Sequence, residues 1–158
     1  PLATEEESPS EERPAMIYGA MTHPQLLRAL AAAGHGSKIL LADANYPHTT
    51  GVSPRCELVS LNFAPGMLDV VQILEVLKQV CPIEKAEIMV PAPDAPQVEI
   101  PIHEEFKAQL PDTEFAELSR FDFYDAARSE DVGIIVATGE QRLYGNLLLT
   151  VGVRMPGQ

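Results

Sequence analysis

Between Ala33 and Pro47 the chain reads AGHGSKILLADANYP, which brings an imidazole, a short apolar run and a carboxylate within fifteen residues. His35 lies between Gly34 and Gly36, whose missing Cβ atoms open backbone conformations closed to other residues and leave the ring unshielded. Lys38 to Ala42 has strand character, and Asp43 closes it before an irregular exit marked by Asn45 and Pro47. A carboxylate at a strand end, followed by a loop, is well placed to meet a ligand. An imidazole of ordinary pKa near 6.5 exchanges protons close to neutral pH. Together these groups point to acid–base chemistry.

Other chemistries lack their motifs. No Gly-x-Gly-x-x-Gly follows the first strand, and no Gly-Lys-Ser/Thr phosphate loop is present, so a nucleotide cofactor has no cradle. The four histidines are dispersed and neither Cys56 nor Cys81 belongs to a Cys-x-x-Cys pair, so no metal is expected. A serine nucleophile on Gly-x-Ser-x-Gly is missing as well. Acid–base catalysis without a cofactor remains, carried by imidazole, carboxylate and phenol.

The elements that must position these groups follow from periodicity. Thr22 is the expected N-cap of a helix with Pro24 in its first turn and an apolar stripe at Leu26, Leu27 and Leu30, and Gly34 ends it. The ILLA run has no polar alternation and reads as a strand buried on both faces. Residues 46–54 form a Pro- and Thr-rich loop that carries His48. A loose strand is expected over 55–62, an amphipathic helix over 67–80, a strand over 86–90 and extended chain over 98–100. HEEFKAQL reads as a short helix with His103 and Lys107 on one face. A further helical segment is expected from a cap at Asp112 or Thr113 through Leu118, continuing as RFDFYDAAR from Arg120 to Arg128. Strands at 132–137 and 147–153 complete the chain, with Tyr144 and Asn146 at the mouth of the last. Helices alternating with unbroken apolar strands predict an α/β fold, a three-layer α/β/α sandwich with a largely parallel central sheet, whose ligands gather beyond the strand ends near Asp43 and Thr138.

The 158 residues fit one domain, expected over 16–158 behind a flexible acidic leader at 1–15 that contains Glu5, Glu6, Glu7, Glu11 and Glu12. A net charge of −12 argues against nucleic acid and anionic membranes as partners. No apolar run approaches a membrane span, and the N-terminus lacks a basic region followed by an apolar one. Two free thiols and a cytoplasmic protein are therefore expected.

Three blocks in this order, GHGSKILLADANYP, RFDFYDAAR and ATGEQRLYGNLLLTVGV, resemble the family of fucose mutarotases and ribose pyranases over Met16 to about Val153. The resemblance implies an enzyme that interconverts anomers of a free monosaccharide. RFDFYDAAR and LYGN are similar to the fucose branch, and IHEEFK at 102–107 to the ribose branch, so L-fucose is the leading sugar and D-ribose the alternative. It further implies His35 as proton donor, Asp43 and Arg120 as substrate contacts, and Tyr124, Tyr144, Gly145 and Asn146 in the sugar pocket, with His103 and Lys107 as ribose-type contacts. Ser37 stands where the family usually has an acidic residue, and LNFAPG where the fucose branch has Arg-Ala-Asp-Gly. A non-catalytic sugar-binding or transport-accessory protein would use the same hydroxyl contacts, but it has no need of an imidazole between two glycines.

From the groups themselves, His35 is the expected proton-transfer residue, with Tyr124 or Tyr144 as second carrier. If the strand rises about 3.3 Å per residue, however, His35 and Asp43 lie roughly 20 to 26 Å apart, beyond the reach of one monosaccharide. Either the glycine pair folds His35 back, or the sugar lies between subunits. The ring-like homo-oligomers implied by the resemblance make the second attractive.

Overall fold

The computed structural model describes residues 17–158 apart from Gln97, so the acidic leader expected at 1–15 lies outside the described residues. Six strands form one sheet: β1 (Lys38–Ala42), β2 (Glu57–Ser60), β3 (Ile83–Met89), β4 (Glu114–Leu118), β5 (Val132–Ala137) and β6 (Leu147–Val151). Four helices accompany them: α1 (Pro24–Ala32), α2 (Val70–Leu77), α3 (Pro101–Gln109) and α4 (Arg120–Ala127). The strand order is β2-β5-β1-β6-β3-β4, parallel throughout except for β6, which runs antiparallel to both neighbours.

Successive side chains of a strand point to opposite faces, so β1 contributes to two cores. Ile39 and Leu41 pack with α1, α2 and α3 through Leu26, Leu74 and Phe106. Leu40 faces Phe123 and Ala127 of α4, together with Tyr46 from the loop after β1. Both faces of the sheet are therefore covered, which is why ILLA shows no polar position and why the three-layer α/β/α expectation holds.

Helix starts differ from the sequence reading where a different side chain reaches the open backbone N–H groups. His23, not Thr22, caps α1, its Nδ1 accepting from the Leu26 N–H at 3.2 Å. The second helix begins at Val70 rather than 67, because Leu68 is left-handed (φ 53°) and Asp69 forms a capping box with Gln72. Met67 and Leu68 are consequently exposed and not part of the core stripe.

The larger correction concerns residues 112–118. These do not form a helix; Glu114–Leu118 is an edge strand paired parallel with β3, and the cap belongs to Ser119, whose side chain accepts from the Asp122 N–H at the start of α4. A segment this short cannot offset the cost of nucleating a helix, whereas the open edge of β3 offers a hydrogen-bond ladder. The extended chain expected at 98–100 joins no strand.

Leu74 is fully buried between α2 and the sheet. Leu74→Ala is expected to lower stability by about 2–5 kcal/mol, read as an earlier midpoint in urea unfolding; an unchanged midpoint would contradict its place in the core.

Candidate active site

The last residue of β1 is followed by Asp43, which is almost completely buried at the C-terminal end of the strand. Its backbone N–H donates to Asn146 Oδ1 at 2.7 Å, and Asn146 Nδ2 donates back to Asp43 Oδ2 at 3.1 Å. The Asn45 N–H donates to Asp43 Oδ1 at 3.0 Å. Burial pushes the Asp43 carboxyl above its ordinary value, and the main-chain N–H groups of Asn45, Tyr46 and Gly145 pull in the opposite direction. His48 reaches from the loop to the Asp43 carbonyl, with Nε2 at 2.9 Å.

Around this pair lies a cavity of about 220 Å³ lined by Asp43, Asn45, Tyr46, Met89, Arg120, Tyr124, Leu143, Tyr144 and Asn146. It is below the roughly 300–1,000 Å³ of sites for drug-sized ligands, the scale of a single sugar ring. One wall is aromatic: Tyr46 and Tyr124 have ring centroids 5.6 Å apart. The guanidinium groups of Arg120 and Arg128 lie 5.7 and 5.8 Å from the Tyr124 ring centre, both within cation–π range of the phenol. The cavity thus combines a carboxylate, two side-chain amides, a guanidinium and three phenols with the apolar Met89 and Leu143. That set suits a small, hydroxyl-rich, uncharged ligand.

The Tyr144–Asn146 wall is built from behind. Tyr144 is left-handed (φ 58°), an uncommon state for a residue with a Cβ. His103 is buried in α3 and its Nε2 lies 3.0 Å from the Tyr144 carbonyl, which fixes that turn. Burial lowers the His103 pKa, with the bond to Tyr144 opposing, so the neutral ring donates to the carbonyl. Gly145 passes so close to the preceding turn that a Cβ there would sit 2.8 Å from Glu140 Cγ and 2.9 Å from the Arg142 carbonyl. The Glu140 carboxylate, also buried, accepts from Arg142 Nε at 2.9 Å and Nη2 at 2.9 Å, and Arg142 Nη1 donates to Glu105 of α3 at 2.7 Å. The Glu140 carbonyl accepts from the Ala44 N–H at 2.8 Å, which ties this turn to the Asp43 loop.

Asp43, Arg120, Tyr124, Tyr144 and Asn146 are therefore brought together, with Gly145 between two of them. His103 stands behind the pocket wall; with Glu104, Lys107 and Glu117 it borders a separate depression of about 400 Å³ under the proline-rich 91–96 loop. That depression is larger, but it lacks the Asp43–Asn146 pair and lies to the side of the strand end. Tyr46, Asn45, Met89, Leu143, Glu140 and Arg142 were not singled out by sequence reasoning. Tyr46 and Asn45 had a visible signal in the irregular exit after Asp43, whereas Met89 has only its place at the end of an apolar strand.

His35 is at the other end of β1. Gly36, left-handed at φ 84°, turns the chain there, and its N–H donates to the Val151 carbonyl at 2.9 Å. Ser37 Oγ accepts from the Gly34 N–H at 3.2 Å. The glycine pair does not fold His35 back: its ring lines a groove of about 470 Å³ with Leu27, Leu30, Val80, Pro82 and Val153, away from the Asp43 cavity. Among the described residues, no group of three or more His, Cys, Asp or Glu side chains could hold a metal. No helix there is long and apolar enough to cross a membrane. Cys56 and Cys81 are free, and burial raises each thiol to about 11.

The fold and this strand-end cavity define an α/β protein shaped for a small polyhydroxylated ligand. Residues 16–154 match the model of the RbsD / FucU transport protein family, and the chain belongs to that family. It is 34% identical to the fucose mutarotase of Mus musculus over 140 residues, covering 82% of this chain and 88% of that protein. Identity to the fucose mutarotase of Homo sapiens is also 34%, over 145 residues, covering 85% and 90%. Among solved structures, the fucose mutarotase of Streptococcus pneumoniae in complex with L-fucose superposes with a TM-score of 0.72 at 26% identity, covering 84% of this chain and 94% of that one. Bacillus subtilis RbsD complexed with D-ribose superposes at 0.75 with 23% identity, covering 89% and 100%, a likeness of fold.

Although burial raises the Glu140 carboxyl, its bonds to Arg142 outweigh that effect and hold it below the ordinary value of 4.5. Over that interval the unfolded chain binds more protons, so the pair's contribution is complete above pH 4.5 and is lost as pH falls through the folded value. Glu140→Gln is expected to cost about 1–3 kcal/mol at pH 7, a range that allows for the part-exposed guanidinium. The variant should also flatten the acid limb of stability measured by urea unfolding from pH 7 to 3; a parallel limb would refute this account.

Proposed function

We propose that this protein is a monosaccharide mutarotase of the isomerase class, interconverting the α and β anomers of free L-fucose. The observation that carries the reading is the Asp43–Asn146 pair facing Arg120, Tyr124 and Tyr144 across a cavity of sugar size. Its relatives at 34% identity are named fucose mutarotases, which favours fucose over ribose. The IHEEFK block gives less support to ribose than its wording suggests, because His103 faces the Tyr144 carbonyl and not the cavity. The reading includes a single domain over 16–158 acting in the cytoplasm without a cofactor.

Mutarotation removes the proton of the anomeric hydroxyl while the bond between C1 and the ring oxygen breaks, its electron pair going to that oxygen, which takes up a proton. The open aldehyde rotates about one bond and the steps reverse on its other face. No atom is gained or lost. Asp43, Arg120 and Asn146 hold the hydroxyls, His35 carries one proton, and Tyr124 or Tyr144 serves the other oxygen.

His35 reaches the sugar from a second copy of this chain. Three observations support that arrangement: the length of β1 between His35 and Asp43, the apolar groove beside His35, and the exposed Leu143 lining the sugar cavity, with exposed Phe121 next to Arg120 in α4. The apolar rim of one copy would cover the groove of another, repeated around a homo-oligomer.

Saturation-transfer NMR on free L-fucose and D-ribose tests the activity. His35→Ala is expected to lower catalysed exchange of fucose about 10²–10⁴-fold, and exchange at the parent rate would sink the assignment. Mixed assemblies of His35→Ala and Asp43→Ala chains are expected to regain part of the activity that neither variant has alone. Failure of co-assembled chains to do so, or a fully active monomer by light scattering, would refute the shared site.

A further inference from the structure

The exposed pair at the start of β1 has a geometry that stability does not explain. His35 Nε2 lies 3.0 and 3.1 Å from the two carboxylate oxygens of Glu84, the second residue of β3. The side chains are 58% and 45% exposed, and an ion pair in that setting adds little to stability. The backbone on either side of the pair is nevertheless tied to the end of β6. Gly36 and Ser37 are tied to Val151, since the Gly36 N–H donates to its carbonyl and its own N–H donates to Ser37 O at 2.8 Å. The Gly152 N–H donates to the Pro82 carbonyl at 2.9 Å, which sets the start of β3 against the end of β6. Two segments separated by 49 residues in sequence are thus held so that imidazole meets carboxylate.

A carboxylate only accepts, so the ring nitrogen facing it carries a hydrogen. We infer that Glu84 is the positioning residue of the reaction: it holds His35 by Nε2–H, fixes the ring's direction, and leaves Nδ1 as the nitrogen that exchanges a proton with the sugar. This rests on the mutarotase reading above and adds to it the partner of the proton carrier. When Nδ1 takes the anomeric proton, the ring becomes a cation already next to an anion, and when Nδ1 gives the proton up, the Nε2–H bond remains. The same logic of an acid orienting an imidazole recurs wherever a histidine serves as base, with the acid itself never changing protonation. Ser37, whose Oγ accepts from the Gly34 N–H, cannot take this role, because a neutral hydroxyl brings no negative charge to the imidazolium. Glu84 supplies the carboxylate from another strand.

The test joins kinetics to a spectroscopic reading on the full chain. Glu84→Ala is expected to lower kcat for fucose exchange about tenfold or more, with KM within about twofold of the parent, because Glu84 touches no sugar. Glu84→Asp should recover part of the loss, and the unfolding midpoint of both variants should stay at the parent value, as befits an exposed pair. In long-range ¹H–¹⁵N spectra of the histidine side chains, the His35 Nε2 resonance is expected to move in Glu84→Ala while those of His103 stay in place. An unchanged kcat, a loss expressed only in KM, or unmoved His35 nitrogens would each overturn this inference while leaving the mutarotase reading intact. Parent-level exchange in His35→Ala would overturn both.

Discussion

The reciprocal bond between Asp43 and Asn146 depends on one topological fact, the antiparallel insertion of β6 between β1 and β3. Because Leu41 pairs with Leu147, the residue that leaves β1 meets the residue that enters β6. Had β6 run parallel to its neighbours, Tyr144, Gly145 and Asn146 would lie at the far end of the sheet from Asp43. The same strand direction carries Val151 to the other end of β1, where it receives the Gly36 N–H beside His35. One reversed strand therefore frames both ends of the short ILLA segment, with a sugar-sized cavity at one and the imidazole at the other.

Buried acids in this acidic protein are each answered by named donors. Asp43 has the amide of Asn146 and main-chain N–H groups, Glu140 has Arg142, and Glu87 has Lys38 at 3.1 Å and Lys85 at 3.6 Å. Unpaired, each would carry a desolvation cost of several kcal/mol or give up its charge. The difference between Asp43 and Glu140 lies in the donor. A guanidinium holds Glu140 ionised, whereas amides only partly offset the burial of Asp43, whose carboxyl stays raised. Glu140 serves as a clamp for the loop, and Asp43 keeps a carboxylate edge for the cavity.

How far the site was legible varies by residue. Asp43, Tyr144 and Asn146 could be placed because each follows or precedes an apolar run whose strand identity is plain, and chain ends of such strands collect ligands. His103 could not, since helical spacing puts it on a face with Lys107 but cannot tell which way that face turns; packing of α3 buries it against Tyr144. Glu84 carried no local signal, because an acidic residue near a strand start is ordinary and its partner lies 49 positions away.

By itself the sequence determined the existence of most elements, through hydrophobic periodicity, and it determined that a strand separates His35 from Asp43, so that one copy joins them only if the glycine pair folds His35 back. Those properties are local, set by neighbours within a few residues. The tertiary structure alone decided that residues 114–118 complete a sheet edge, that β6 runs against its neighbours, and which side chains meet across the sheet. A five-residue segment with mixed pattern has no preference strong enough to resist an open strand beside it. Contacts such as Asp43 with Asn146, 103 residues apart, exist only once the strand order has been fixed by packing on both faces.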